Sequence, residues 1–287
     1  MTHIDLYFSS RPRNSWRIAP SFFSGKGREY EIGDRLGAGG NAVVYECIDR
    51  IDGDTYAVKF QLILSEKRKQ RFTKEIELHQ QLTHSQLMSY VDHGEIRGIQ
   101  MPEKKDVIIP FLIMPIADKN LRDVIKTDGQ MPLPEEYIAQ FKGLAEALGV
   151  LHQKAVHRDI KPENILVKGE TWLLSDFGLC EVFGSGDDLT SADEVIGPRY
   201  WMSPEAINKA VGNTDAISKR SDVFQLGSVF WFVATGRHPS GNVTETDWTG
   251  PKNLFPVLVN ALSHNQAQRP ADGVELAKLI DAAVMAR

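Results

Sequence analysis

The chain reads as an α+β protein in two lobes, an antiparallel sheet with one main helix followed by a mainly helical half. Three observations predict this. Between Tyr30 and Phe60, short apolar runs are broken by Gly37-Ala38-Gly39-Gly40 and Asp52-Gly53-Asp54, the turn chemistry of antiparallel hairpins. Over residues 65–82, Phe72, Ile76, His79 and Leu82 fall on one side at helical spacing. Beyond residue 120 the apolar positions step by three and four, as in Phe141, Leu144, Ala145, Leu148 and Leu151.

At 287 residues the chain has the length for two lobes of ordinary size or one large domain, and 42% apolar residues suffice for a substantial core. Its 33 basic and 38 acidic residues leave a net charge of −5, which argues against nucleic-acid binding. Two cysteines, Cys47 and Cys180, exclude a disulfide framework or a cysteine-rich zinc site. Residues 1–20 lack the apolar core of a signal peptide, and no run of about 18 apolar residues predicts a membrane span. A reducing, cytoplasmic location without membrane attachment is the expectation.

Residues 1–28 have no clear periodicity. Their aromatic residues Trp16, Phe22 and Phe23 suggest an arm packed on the main body, with a disordered tail as the alternative. Strands follow at Tyr30–Leu36, Val43–Cys47 and Thr55–Phe60, and the glycine-rich turn between the first two lets backbone amides approach phosphate oxygens. A dinucleotide-binding reading needs a helix after the glycines, and Val43–Cys47 reads as a strand. Glu75 lies 16 residues after Lys59, either as a solvated helix residue or as an inward ion pair with Lys59. Further strands are expected at 88–91, 107–109 and 111–114, then a connector at Pro115-Ile116-Ala117-Asp118 and helices over 121–126 and 134–153.

The chemistry concentrates in His157-Arg158-Asp159-Ile160-Lys161-Pro162-Glu163-Asn164-Ile165-Leu166. A carboxylate, a cation two residues later and a carboxamide five residues later can be aimed at one reaction centre, with Ile165 and Leu166 as anchors. Asp176 of Asp176-Phe177-Gly178 follows 17 residues after Asp159. With Asn164 it would offer the hard oxygen ligands that Mg²⁺ shares with substrate phosphates. Further on, Glu205 is a candidate internal partner of Arg269, and Asp222 a candidate anchor for the His157 loop backbone.

Taken in this order, the motifs resemble those of the eukaryotic-like protein kinases over about residues 30–283. The resemblance implies a bilobal protein-kinase fold with an arm at 1–28, an N-lobe at 29–114, a hinge at 115–118 and a C-lobe at 119–287. It implies ATP and Mg²⁺ as cofactors. Leu36, Gly37, Ala38, Gly39, Val44, Ala57 and Leu166 would surround ATP, Met114 would stand beside the adenine, and Pro115 and Ala117 would face it. Lys59, paired with Glu75, would contact the phosphates. Asp159 would orient the substrate hydroxyl and accept its proton, Lys161 would steady the γ-phosphate, and Asn164 and Asp176 would hold Mg²⁺. Lys161 favours serine and threonine as acceptors.

This sequence departs from the family at four places. Ala42 replaces the usual third glycine, Pro198 replaces a threonine that bridges Asp159 and Lys161, His79 takes an apolar position, and residues 236–268 are short. Five acids (Glu181, Asp187, Asp188, Asp193, Glu194) lie in the segment after Asp176, opposite in sign to Lys67, Arg68, Lys69, Arg71 and Lys74. They are either solvated charge runs or part of a switch in which phosphate on Ser185, Thr190 or Ser191 docks on Arg158 and the basic helix, with Asp193 or Glu194 as a permanent source of that negative charge in its place. The expectation is a protein kinase that phosphorylates protein substrates and itself, controlled by a separate regulatory partner. A small-molecule kinase of related fold and a pseudokinase scaffold are the alternatives.

Overall fold

A computed structural model of the chain describes residues 3–8, 14–128, 132–184, 200–209, 211–213 and 215–286. It divides into two compact units: Met1–Gln81 with Met88–Ala117, and Leu82–Leu87 with Asp118–Arg287.

Among the described residues the first unit holds eight strands: β1 (Ile4–Leu6), β2 (Ser15–Ile18), β3 (Ser21–Phe23), β4 (Glu29–Ala38), β5 (Ala42–Asp49), β6 (Thr55–Gln61), β7 (Asp92–Met101) and β8 (Lys105–Pro115). They form one antiparallel sheet in the order β1-β2-β7-β8-β6-β5-β4-β3. The three strands expected between Tyr30 and Phe60 appear as β4, β5 and β6. The turn after β5 closes by a bond from Gly53 N–H to the Asp49 carbonyl, 2.9 Å, with Gly53 at φ 77° as a hairpin turn demands. Helix α1 (Glu66–Gln81) sets Phe72 and Ile76 against Leu112, Tyr90 and Met114.

Two expectations for this unit need correction, and one strand was not expected. Residues 88–91 are not a strand, and pairing starts at Asp92. The two short strands at 107–109 and 111–114 are one, β8, running through Pro110. That proline is tolerated because pairing with β6 stops at Phe111, so its missing N–H interrupts no ladder there. The strand not expected is β7, whose alternation is masked by Gly94 and Gly98. A Cβ on Gly94 would sit 2.8 Å from Phe111 Cζ, and one on Gly98 would sit 2.9 Å from Ile18 Cγ2. Packing of neighbouring side chains against the strand backbone removes the residues that would have revealed it.

Residues ahead of β4 contribute to the core. Leu6, Trp16, Ile18 and Phe22 are buried with Val43, Tyr45, Phe60, Ile96, Ile109 and Phe111. Phe22 meets Phe111 edge-on at 4.7 Å between ring centres, within the favourable range for aromatic pairs.

The second unit is mainly helical, with α2 (Leu121–Asp128), α3 (Pro134–Leu151), α4 (Pro204–Lys209), α5 (Lys219–Thr235), α6 (Phe255–Ala261) and α7 (Gly273–Met285). Pro134 opens α3 where its missing N–H costs nothing, and Glu136 reaches back to the Leu133 N–H at 3.0 Å. Helix α5 is apolar nearly all round and buried accordingly, with Phe230 stacked on Phe141 of α3 at 4.2 Å. It ends at Gly236, in the left-handed conformation of a helix C-terminus (φ 70°). Two small sheets complete the unit: β9 (Lys119–Asn120), β11 (Ile165–Lys168) and β12 (Thr171–Leu174) in one, β10 (Ala155–Val156) and β13 (Glu181–Val182) in the other.

Candidate active site

In the first unit, Lys59 stands on β6, between β5 and β8, in register with Val44 on one side and Leu112 on the other. Its Nζ lies 2.6 Å from Oε1 of Glu75 on α1. Glu75 is 2% exposed and Lys59 14%, so Glu75 is the inward partner and not a solvated helix residue. It sits on the α1 face that also buries Phe72, Ile76 and His79. His79 is a core histidine whose Nδ1 bonds the Met88 carbonyl at 3.1 Å. On β8, Met114 is in register with Ala57 and Pro115 with Tyr56.

The glycine-rich turn joins β4 to β5 and is closed by Gly39 N–H to the Ala42 carbonyl, 2.9 Å. At Gly37, Gly39 and Gly40 an added Cβ would meet no protein atom within 4 Å, and none of the three has a positive φ. Neither internal packing nor backbone conformation therefore requires glycine. What the three residues supply is an unshielded run of backbone amides.

In the second unit, residues 157–164 are held mostly through backbone atoms. Asp222, wholly buried on α5, accepts from His157 N–H at 2.7 Å and Arg158 N–H at 2.8 Å, as its sequence position suggested. It also bonds His152 Nε2 at 3.0 Å. Gln225, one turn further along α5, accepts from Ile160 N–H at 3.1 Å and donates to the Arg158 carbonyl at 3.3 Å. These bonds hold Arg158 at φ 71°, a conformation that costs a non-glycine residue energy and persists only under such constraint. His157 Nδ1 accepts from Asp159 N–H at 3.3 Å, so its proton sits on Nε2, 3.2 Å from the Ser175 carbonyl.

The Asp159 side chain is the focus of this loop. Its Oδ2 accepts from Lys161 Nζ and from Asn164 Nδ2, both at 2.8 Å. Asn164 Nδ2 also donates to the Asp159 carbonyl at 2.9 Å, which leaves Oδ1 as the amide's acceptor. Burial pushes the Asp159 carboxyl above the usual carboxylate value, against the pull of Lys161. Asp176 follows β12 in a left-handed conformation (φ 64°), and Phe177 packs edge-on to His157 at 5.8 Å. Leu166 lies on β11, opposite Leu173 and Asn120.

Arg158 Nη1 is 2.6 Å from Glu181 Oε2 on β13, the strand that pairs with β10 just ahead of the loop. Glu181 belongs to the acidic run, and here it lies on the cation that a phosphate was expected to take. Ser185, Thr190, Ser191 and Pro198 lie outside the described residues. Glu205 and Arg269 form the internal pair their positions suggested, at 2.8 and 2.9 Å. Gln225 and Glu181 are functional neighbours that sequence reasoning missed as such. Gln225 had a visible signal, three residues after Asp222 and so on the same helix face.

A family model described as "protein kinase domain" matches residues 30–279. The chain belongs to that family. It is 33% identical over 217 residues to the serine/threonine-protein kinase PknB of Mycobacterium leprae, covering 73% of this chain and 33% of that protein. The PknB of Mycobacterium tuberculosis H37Rv gives 33% over 218 residues, with the same coverage. A probable serine/threonine-protein kinase of Corynebacterium efficiens is 27% identical over 280 residues, 86% of this chain and 40% of that one. The chain thus spans about a third of the length of the mycobacterial kinases it resembles. Among its described residues no helix is long and apolar enough to cross a membrane.

Proposed function

We propose that this chain is a Mg-ATP-dependent protein kinase that phosphorylates serine and threonine hydroxyls of proteins, itself included, in the cytoplasm. The observation that carries the reading is the Asp159 carboxylate, held on one oxygen by Lys161 and Asn164 with the loop backbone locked by Asp222 and Gln225. A carboxylate so fixed has its other oxygen to orient a substrate hydroxyl and take its proton. Lys161 is placed to balance charge on the transferred phosphoryl group, and Lys59, held by Glu75, to contact the α- and β-phosphates. The glycine-rich turn, with Leu36, Ala38, Val44, Ala57 and Leu166, would enclose the nucleotide. Residues 115–118 would form the hinge, with Pro115 and Ala117 facing the adenine beside Met114.

The donors suit magnesium: Asn164 keeps a carbonyl oxygen after its amide hydrogens are taken, and Asp176 adds a carboxylate, both hard ligands. When bound, the ion neutralises charge on the phosphates. The choice of serine and threonine is supported by Lys161 and by the similarity to mycobacterial serine/threonine-protein kinases. Incubation with Mg-ATP and mass spectrometry of the protein and of a mixed peptide library tests it. Phosphoserine and phosphothreonine are expected, and phosphotyrosine alone would reverse the assignment.

Lys59→Met is expected to lower kcat/KM for ATP by about a hundredfold, the scale of removing one preorganised charge from the transition state. It removes a cation 2.6 Å from buried Glu75, so the melting temperature should fall too. Steady-state kinetics with a thermal melt separate the two effects. For regulation, Glu181 takes the role first assigned to a phosphate. Glu181→Gln should lower kcat about fivefold, the worth of roughly 1 kcal/mol for a half-exposed pair. Phosphatase treatment of the wild type should leave kcat unchanged. A large loss on dephosphorylation would restore the phosphate switch at Ser185, Thr190 or Ser191.

A further inference from the structure

Residues ahead of Tyr30 lie outside the stretch that matches the kinase family, yet the described ones, 3–8 and 14–29, are built into the first unit. Strand β1 pairs with β2, and β2 with β7, adding two strands at one end of the sheet. Asp5 and Arg17 join β1 to β2 through a two-pronged ion pair, at 3.0 and 3.3 Å. Leu6 and Trp16 are buried in the core that also holds Val43 and Tyr45 of β5, and Phe8 meets Trp16 edge-on at 5.6 Å.

The segment after β1 then reaches β4, which lies six places away from β1 in the sheet order. Arg35 Nη2 donates to the Phe8 carbonyl at 2.8 Å, and the Arg35 guanidinium lies 5.3 Å from the centre of the Tyr7 ring. The position of Arg35 in β4 is unusual. The register of β4 against β5 slips once between Ile32 and Arg35 and again between Arg35 and Gly37. The first slip sets Gly33 and Asp34 of β4 against Glu46 alone and the second leaves Leu36 without a ladder partner, so the strand leading into Gly37-Ala38-Gly39-Gly40 is weakly held by its own sheet. Arg35 is the residue between the two slips, and its side chain is tied to the N-terminal segment.

We propose that residues 3–8 act as a clasp on the glycine-rich turn through Arg35, so that this N-terminal segment sets nucleotide affinity. Arg35 is a positioning residue in this arrangement: it touches Phe8 and Tyr7, and acts on the turn through the backbone of β4. The guanidinium fork serves both contacts at once, bonding the carbonyl while its face covers the ring, which a lysine ammonium cannot reproduce. The inference rests on the reading of the turn as nucleotide-binding.

The test compares the full chain with Arg35→Gln, Arg35→Lys and Tyr7→Ala. Calorimetric titration with Mg-ADP should show Kd rising about three- to tenfold in Arg35→Gln, the loss of one hydrogen bond and one cation–ring contact. Arg35→Lys should recover part of it. The double variant Tyr7→Ala/Arg35→Gln should be no weaker than Arg35→Gln alone. KM for ATP should follow Kd, while kcat stays within about twofold, since no group acting on the reaction has moved. Hydrogen exchange gives an independent reading without nucleotide: amides 36–42 should exchange faster in Arg35→Gln than in the wild type, with the β6 amides unchanged. Wild-type Kd together with wild-type exchange in Arg35→Gln would overturn the clasp. If the wild type fails to bind Mg-ADP, the kinase reading fails, and the exchange experiment still decides the clasp.

Discussion

Asp159→Asn should leave the fold in place and lower phosphoryl transfer by about 10²- to 10⁴-fold, the range for removing a positioned general base. The side chains are nearly isosteric, and the loop does not depend on the carboxylate for its path. Its backbone is held by Asp222 at His157 and Arg158 and by Gln225 at Ile160, none of which involves the Asp159 side chain. What the substitution removes is charge. The amide cannot take the hydroxyl proton, and Lys161 loses the anion at 2.8 Å that fixes its ammonium. Relief of a desolvated carboxylate should raise the melting temperature slightly, because burial disfavours the charged form at this site. Transfer of labelled γ-phosphate, with a melt on the same preparations, checks both parts. Equal transfer by wild type and variant would sink the role of Asp159 and trace the activity to a contaminant.

How much of this was legible in the sequence depends on how local each feature is. The 157–166 loop carries its chemistry in consecutive residues, so Asp159, Lys161 and Asn164 could be assigned before any geometry was known. Glu75 was only half legible: its place 16 residues after Lys59 admitted either an inward ion pair or a solvated residue, and its burial beside Phe72 and Ile76 decides for the pair. The N-terminal strands were illegible because β1, β2 and β3 are three or four residues long, too short to establish alternation. Strand β7 was hidden by Gly94 and Gly98, which yield their space to Phe111 and Ile18 from neighbouring strands. The bond between Glu181 and Arg158, 23 residues apart, depends on β10 pairing with β13, a register that no local pattern specifies. Charge alone marked Glu181 as acidic surface, and only pairing gave it a partner.

The largest expected loss of stability comes from Arg269→Met. The guanidinium is fully buried and donates both terminal nitrogens to Glu205, at 2.8 and 2.9 Å, and further bonds to the Ser263 and His264 carbonyls. Ser221 of α5 donates to the same carboxylate, and the guanidinium lies 5.0 Å from the Phe224 ring. Methionine fills much of the volume but leaves Glu205 charged, buried and short of its partner, a change that costs about 3–5 kcal/mol. Replacing both residues, as Glu205→Leu/Arg269→Met, should recover much of that loss, because the main penalty is the uncompensated ion and not the missing attraction. Chemical denaturation of the four proteins closes the cycle, and additive losses would refute the coupling. Acid gives a second reading. Desolvation pushes the Glu205 carboxyl up, but the bonds from Arg269 and Ser221 outweigh it and hold the group below its ordinary value of 4.5. A carboxyl lowered by folding contributes stability that is complete above its unfolded value and disappears as pH falls through its folded one. The wild type should therefore lose stability on acidification below about pH 4.5 more steeply than the double variant, which has no carboxyl at this place. Parallel stability curves from pH 7 to pH 3 would show that Glu205 and Arg269 do not carry this part of the acid sensitivity.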